Sequence, residues 1–205
     1  MEKVDFKKEY SDLYKPRKGK IVTVSVPKMK FLMIDGKGNP NTSRDFKDAM
    51  NILFTVSYGV KFLMKQKFEK DYVVMPPEGL WWAENMDDFL SGEKDKWLWT
   101  IMMMQPEFVR AEHIKEASDN AVRKGKLTSE LLSKARFELF EEGECVQTIY
   151  VGSFDEETET IKNMHDMIKN NGWELCGKHH EIYLSDARKV APEKYRTIIR
   201  QPFKR

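Results

Sequence analysis

The segment Lys178–Asp186 contains the residues whose types and spacing best suit chemistry. Ile182 and Leu184 alternate with Glu181 and Tyr183, and successive side chains of a β-strand leave opposite faces. The pattern therefore places Glu181 in the middle of a strand, with Tyr183 on the same face. Because an ionised carboxylate is costly to bury without a cation or hydrogen bonds, either this face is solvated or Glu181 serves a ligand.

Glu181 has two candidate chemical roles. It can pair with a cationic ligand, or act as a general base that directs water onto an electrophilic carbon. An apolar, aromatic setting is expected to raise the pKa of Glu181. The alternative is a solvated carboxylate, or one neutralised by Arg196 or Arg200 on the following strand. Tyr183 is the candidate for a hydrogen bond to a ligand or to a water molecule.

Aromatic and methionine side chains elsewhere in the chain are candidate pocket walls. Aromatic faces attract cations and stack on planar ligands, and methionine adapts to varied shapes; core packing is the alternative for each of them. The candidate ligand-binding residues outside the opening segment are Trp97, Trp99, Met103, Trp82 and Tyr58.

Metal and cofactor motifs are absent from the sequence. His179 and His180 are adjacent, so on a strand they face opposite ways, and no nearby Cys or Asp completes a tetrahedral set. GxGxxG, GxxxxGK[ST] and GxSxG are also absent, which argues against the common nucleotide sites and serine hydrolases. We therefore expect no metal and no cofactor.

Composition narrows the class of protein. The 205 residues carry a net charge of only +2, so long-range attraction to nucleic acid is not indicated. The N-terminus lacks the apolar run of a signal peptide, and no stretch approaches the roughly 20 apolar residues of a membrane span. The two cysteines form no CxxC motif. These features predict a soluble cytoplasmic protein that does not itself bind nucleic acid or membrane.

The order of predicted elements repeats along the chain. Each half reads strand, helix, strand, strand, and each closing strand contains Thr-Ile and ends in Gln-Pro, at 105–106 and 201–202. We predict an α+β fold of duplicated halves around a pseudo-twofold axis, with an antiparallel sheet, helices on one side and a ligand cleft at the junction. After an N-terminal arm, 1–20, a single domain spans 21–205. Its parts are half one at 21–106, connecting helices at 107–135 and half two at 136–203.

Local signals within these halves predict particular elements. Thr42 or Ser43 caps a long helix. The further predictions are a strand at 72–75, a helix from Pro106 to Lys124, a hairpin around Glu142-Gly143 and a capping box of Ser153 with Glu156.

Three segments resemble the GyrI-like (gyrase-inhibitor-like) small-molecule-binding family. They are His180–Asp186, Ala191–Lys194 before the closing strand, and Gln147–Phe154. The likeness covers most of residues 21–203, and Ala187 stands where relatives commonly have proline. No DNA-binding domain precedes this region, so the chain is similar to stand-alone members.

The resemblance implies an aromatic-lined pocket with a glutamate at its floor, a position that Glu181 matches. The implied function is binding or sensing of amphipathic, often cationic or aromatic drugs and toxins, as in multidrug-binding proteins. The alternative is a toxin-resistance hydrolase that opens the cyclopropane ring of DNA-alkylating natural products, with Glu181 and Tyr183 as the catalytic residues. Whether the protein is an enzyme, and whether it forms a homodimer, is left open.

Overall fold

The protein has an α+β fold with a large antiparallel sheet. A computed structural model describes residues 3–84 and 92–205. Residues 1–2 of the predicted arm and residues 85–91 lie outside the described residues. The strands are β1 (Lys3–Val4), β2 (Val22–Val26), β3 (Met29–Lys37), β4 (Asp71–Tyr72), β5 (Glu78–Trp82), β6 (Leu98–Gln105), β7 (Ala135–Phe140), β8 (Gly143–Val151), β9 (Glu174–Leu175), β10 (His179–Tyr183) and β11 (Arg196–Lys204). The helices are α1 (Phe6–Glu9), α2 (Ser11–Tyr14), α3 (Arg44–Phe68), α4 (Ala111–Arg123), α5 (Ser129–Leu132) and α6 (Thr158–Asn170).

The chain divides into two compact units. The first comprises the described residues within Met1–Phe6, Met29–Pro77 and Trp81–Phe140; the second comprises Lys7–Lys28, Glu78–Leu80 and Glu141–Arg205. No helix among the residues described has both the length and the apolar character needed to cross a bilayer.

In the first unit, the long helix α3 packs on antiparallel strands. Strand β3 pairs with β6 and with β7, and α3 contacts β3, β6 and α4. Ser43 caps α3 as predicted, because its side chain accepts a hydrogen bond from the backbone N–H of Phe46. A glycine suits the contact between α3 and α4, since a Cβ built on Gly59 would lie only 3.2 Å from the Cβ of Ala117.

In the second unit, β11 is the central strand and α6 covers its apolar face. Strand β11 pairs antiparallel with β8, β10 and β9, and β8 also pairs with β2. The amphipathic helix α6 buries Met164 and Ile168 against this sheet. Trp173, just beyond the helix, stacks on Phe203 at a centroid distance of 4.2 Å. The buried core of the unit is Val146, Met164, Ile168, Ile199 and Phe203.

The predicted repeat of element order is confirmed. The order strand, helix, strand, strand is that of β3-α3-β5-β6 and of β8-α6-β10-β11, with the two-residue strands β4 and β9 each following the helix. In each unit the opening strand pairs antiparallel with the closing strand, β3 with β6 and β8 with β11. Each closing strand also follows a 3-10 turn, Lys94–Lys96 or Pro192–Lys194.

Two local predictions differ in length from what the structure contains. The strand expected at 72–75 is limited to Asp71–Tyr72 and pairs in parallel with β1. The helix expected from Pro106 begins only at Ala111. A turn follows Pro106 instead, and the backbone N–H of Arg110 donates to Nδ1 of His113, which sets the later start.

Two other local predictions are wrong. The hairpin at Glu142-Gly143 does not form, because β7 pairs with β3 whereas β8 pairs with β2 and β11. Gly143 has the positive φ of 77° that suits a turn, but long-range partners decide the pairing of the flanking strands. The capping box of Ser153 with Glu156 is replaced by a 3-10 turn, and α6 begins at Thr158 after Glu157.

Candidate functional site

Glu181 lies in a buried cluster with His179 and Glu157. One carboxylate oxygen or imidazole nitrogen from each side chain lies within 4.8 Å of the other two. Glu181 is 8% exposed, His179 5% and Glu157 7%. His179 Nε2 is 3.3 Å from Glu181 Oε1. We call these three residues the carboxylate–histidine cluster; all of them belong to the second unit.

The sequence positions this cluster through two elements. Strand alternation puts His179, Glu181 and Tyr183 on one face of β10. Glu157 comes from the residue before α6, where its side chain makes no cap hydrogen bond. A residue that could have capped the helix is thus directed toward the strand.

The pKa of Glu181 is lowered, contrary to the sequence expectation. Burial acts to raise this pKa, but the hydrogen bond and charge of His179, with hydrogen bonds to Glu157 and Tyr183, lower it overall. The polar groups of His179, Glu157 and Tyr183 thus replace the apolar setting expected. Glu181 is therefore ionised at neutral pH, as either candidate role requires.

An aromatic group lies next to Tyr183. The Phe154 ring meets Tyr183 edge-on at 5.7 Å and lies 5.0 Å from the Tyr195 ring. Phe154 is 37% exposed, so it offers apolar surface to a ligand. Such rings favour flat or cationic ligands beside a buried carboxylate.

A second polar network occupies the other face of β10. His180 Nδ1 lies 2.8 Å from Glu142, and its Nε2 lies 3.0 Å from Glu78. Arg200, opposite His180 in the strand register, pairs with Glu142 at 3.5 Å and donates to Gln147. With two carboxylates and two cations, this network is balanced in charge when His180 is protonated.

Burial and charge shift the pKa values within this network. Burial alone would lower the pKa of His180, but the charge of Glu142 and hydrogen bonds to Glu142 and Glu78 raise it to about 9. Burial acts to raise the pKa of Glu142, yet His180 and Arg200 lower it overall. Burial and the nearby Glu78 raise the pKa of Tyr14, whose hydroxyl donates to Glu78. The network is therefore a structural anchor that ties α2 to the sheet.

Arg200 belongs to that anchor. Besides Gln147, its guanidinium donates to the backbone carbonyl of Leu13 at 2.6 Å. The other candidate counterion, Arg196, is exposed at the start of β11. The contacts of Glu181 described above are instead with His179, Glu157 and Tyr183.

The predicted ligand residues Trp97, Trp99, Met103, Trp82 and Tyr58 all belong to the first unit. Trp99 and Met103 are fully buried; the Trp99 ring packs over Gly36 and edge-on against Phe46. Both are thus components of the first unit's core.

Three of the predicted ligand residues retain exposed surface. Trp97 is partly buried and meets Trp81 edge-on at 5.7 Å, and Trp82 is also partly buried. Tyr58 is 45% exposed and stacks with Phe54 on the outer face of α3. These three side chains therefore stay candidate ligand contacts.

Sequence reasoning missed Glu157, His179 and Phe154 as functional residues. Glu157 stands among acids typical of a helix start, and nothing local distinguishes it. His179 carried a usable signal, because it shares the i, i+2 face with Glu181. The adjacent pair His179-His180 obscures this shared face, because neighbouring residues of a strand point in opposite directions.

The carboxylate–histidine cluster is also the arrangement best suited to a metal within the described ranges. One imidazole and two carboxylates converge there, and these are ligand types that zinc and other divalent ions accept.

Comparison with known protein families identifies the family of the chain. Residues 20–204 match the GyrI-like small molecule binding domain. The chain belongs to the GyrI-like family. Among curated proteins, it has no significant match.

Solved structures of GyrI-like relatives extend this comparison. An uncharacterized conserved protein from Listeria innocua is 41% identical with a TM-score of 0.90, over 98% of this chain and 100% of the relative. Two structures described as hydrolases from the same organism are 39% and 38% identical, with TM-scores of 0.85 and 0.86. They cover 98% and 99% of this chain and 100% of each relative.

A more distant similarity concerns the fold alone. The C-terminal domain of EcmrR is 11% identical, with a TM-score of 0.57 over 91% of this chain and 98% of that domain. The GyrI-like family and α+β fold are thus established, and so is the broad role of a small-molecule-binding domain.

Proposed function

We propose that this GyrI-like protein binds amphipathic, cationic or aromatic small molecules, with Glu181 as the counterion. The observation that carries the proposal is a buried carboxylate whose pKa is lowered, at a position that shares a strand face with Tyr183. A desolvated carboxylate attracts a cation more strongly than a solvated one, because the local dielectric constant is lower.

Aromatic side chains supply the rest of the proposed recognition. Phe154 and Tyr195 offer ring surface beside Tyr183. Separately, we propose Trp97, Trp82 and Tyr58 of the first unit as ligand contacts, because each retains exposed surface. Trp99 and Met103 are fully buried in the core of that unit.

A pair of ligands that differ in charge tests this function. Crystal violet is an aromatic cation, and its leuco form is uncharged at neutral pH. Binding is followed by quenching of the fluorescence of the five tryptophans. We expect the cation to bind more tightly by at least about tenfold, which corresponds to about 1.4 kcal/mol, and Glu181→Gln to abolish that preference. Equal binding of both dyes by the wild-type protein would contradict the proposal.

A hydrolase is the second candidate function. Two full-length relatives of 39% and 38% identity are described as hydrolases, and Glu181 is ionised with Tyr183 beside it. We propose that its substrates are toxins with a cyclopropane ring activated by an electron-withdrawing group. Glu181 takes a proton from water as the water oxygen bonds to a ring carbon. The ring C–C bond breaks, its electrons move to the activating group, and that group then takes up the proton.

Turnover separates the hydrolase from a binder. The protein is incubated with a cyclopropane-bearing alkylating agent, and a gain of one water is followed by mass spectrometry. We expect Glu181→Gln to lower the rate by 10²-fold or more, in line with loss of a general base. Tight binding with the ligand recovered unchanged would exclude the hydrolase and leave the binding function in place.

A further inference from the structure

The carboxylate–histidine cluster has the donor set of a divalent metal site. Glu157, His179 and Glu181 come from two separate elements and place their ligand-type atoms within 4.8 Å of one another. We propose that this cluster binds one divalent metal ion of the zinc class, with a water molecule at the remaining position. The inference goes beyond small-molecule binding, although it shares Glu181 with that function.

The distance within the cluster is compatible with two ligands of one metal ion. Metal–ligand bonds of about 2.0–2.1 Å in a tetrahedral zinc site place neighbouring ligand atoms about 3.3 Å apart. The separation of His179 Nε2 from Glu181 Oε1 is 3.3 Å. A charge-assisted hydrogen bond between the same groups is shorter, about 2.7–2.9 Å.

The neighbouring histidine provides an internal comparison. His180 lies on the same strand and is also buried, and its nitrogens are 2.8 Å and 3.0 Å from Glu142 and Glu78. Those contacts have the lengths of direct hydrogen bonds. His179 and His180 thus have different geometries toward carboxylates, and that of His179 matches two ligands of one ion.

Charge balance also favours a cation in the cluster. Two carboxylates are costly to bury together unless a proton or a cation compensates them. A divalent ion would compensate both carboxylates while His179 binds as neutral imidazole. Tyr183, through its hydrogen bond to Glu181, would hold that carboxylate in place.

Cobalt and zinc titrations test the proposal directly. Chelator-treated protein is titrated with Zn²⁺ by calorimetry and with Co²⁺ by visible absorption, because tetrahedral Co²⁺ absorbs far more strongly than octahedral Co²⁺. We expect one equivalent per chain and an intense visible spectrum. Glu157→Gln and His179→Gln should each weaken Zn²⁺ binding at least about 100-fold, or about 2.7 kcal/mol.

A matched control is available in the first unit. His113 is a buried histidine outside the cluster, so His113→Gln should leave Zn²⁺ affinity unchanged. Binding that is equally strong in His179→Gln, or a weak octahedral Co²⁺ spectrum, would show an adventitious surface ion and overturn the proposal. The wild-type spectrum decides the matter even if a variant does not fold.

The proposed metal site and the proposed cation-binding function can be contradicted independently of each other. Dye binding is measured in the chelator-treated protein and again after one equivalent of Zn²⁺. Cation binding by metal-free protein that takes up no Zn²⁺ would overturn the metal site alone. Stoichiometric Zn²⁺ binding without any preference for the cationic dye would support the metal site and overturn the cation-binding function.

Discussion

His180 and Glu142 form a fully enclosed ion pair, with Nδ1 of the histidine 2.8 Å from Oε1 of the glutamate. The side chains are 1% and 2% exposed. Glu78, on the other nitrogen of His180, is completely buried. Removing one member of such a network leaves the remaining charges without compensation in a medium of low dielectric constant.

The first prediction concerns this network. His180→Gln should destabilise the protein by about 3–5 kcal/mol, because Glu78 and Glu142 would then share too little positive charge. Urea unfolding followed by circular dichroism measures the change, and His113→Gln is the control for loss of a buried histidine. A loss below about 1 kcal/mol would show that the network contributes little.

The same network predicts sensitivity to alkaline pH. The pKa of His180 is raised from 6.5 to about 9 in the folded protein, so folding favours the protonated form. This stabilisation is complete below the unfolded pKa of 6.5 and is lost as the pH rises through about 9. Unfolding measured at intervals from pH 6 to 10 should show falling stability in the wild-type protein and a flatter profile in His180→Gln.

The second prediction concerns an acidic group in the first unit. Asp71 contacts Lys61 at 2.6 Å and Lys65 at 3.0 Å, and hydrogen bonds to these lysines lower its pKa to about 2. The stabilisation is therefore present above the ordinary value of 3.8 and is lost as the pH falls through about 2. Asp71→Asn should be less stable than wild type at pH 6, with a difference that narrows by pH 2. Parallel acid titrations of unfolding would contradict this.

The third prediction separates Glu157 from the other acids of its segment. Glu157→Gln should weaken binding of crystal violet at least about tenfold, because it alters a hydrogen bond that lowers the pKa of Glu181. Glu159 is exposed in the first turn of α6, so Glu159→Gln serves as the matched control and should change affinity less than twofold. Equal effects of the two variants would indicate general surface electrostatics instead of a site.

The fourth prediction concerns the packing of Trp99. A Cβ added at Gly36 would lie 2.1–2.6 Å from three atoms of the Trp99 ring, so the ring would have to move. Gly36→Ala should destabilise the protein by about 1–3 kcal/mol and alter the near-ultraviolet circular dichroism of tryptophan. Lys37→Ala, at the neighbouring exposed position, is the control. An unchanged near-ultraviolet spectrum would show that the ring is not fixed against Gly36.

Local patterns predicted the elements well where one signal dominated. The strand alternation of Ile182 and Leu184 with Glu181 and Tyr183 corresponds to β10, and Ser43 caps α3. The hairpin predicted at Glu142-Gly143 does not form, because strand pairing depends on side-chain packing against strands that are distant in the sequence. The predicted start of α6 was wrong. The side chain of Glu157 lies in the carboxylate–histidine cluster with Glu181 instead of capping the helix.

The sequence by itself determined the repeated order of strands and helices, the family resemblance and the position of Glu181 on a strand. Periodicity and residue type carry that information locally. Tertiary structure alone decided that Glu157 joins His179 and Tyr183 around Glu181. Glu157 is 24 positions earlier in the chain, and only the packing of α6 on the sheet brings it to Glu181 and His179. That packing also lowers the pKa of Glu181 where an apolar pocket would have raised it.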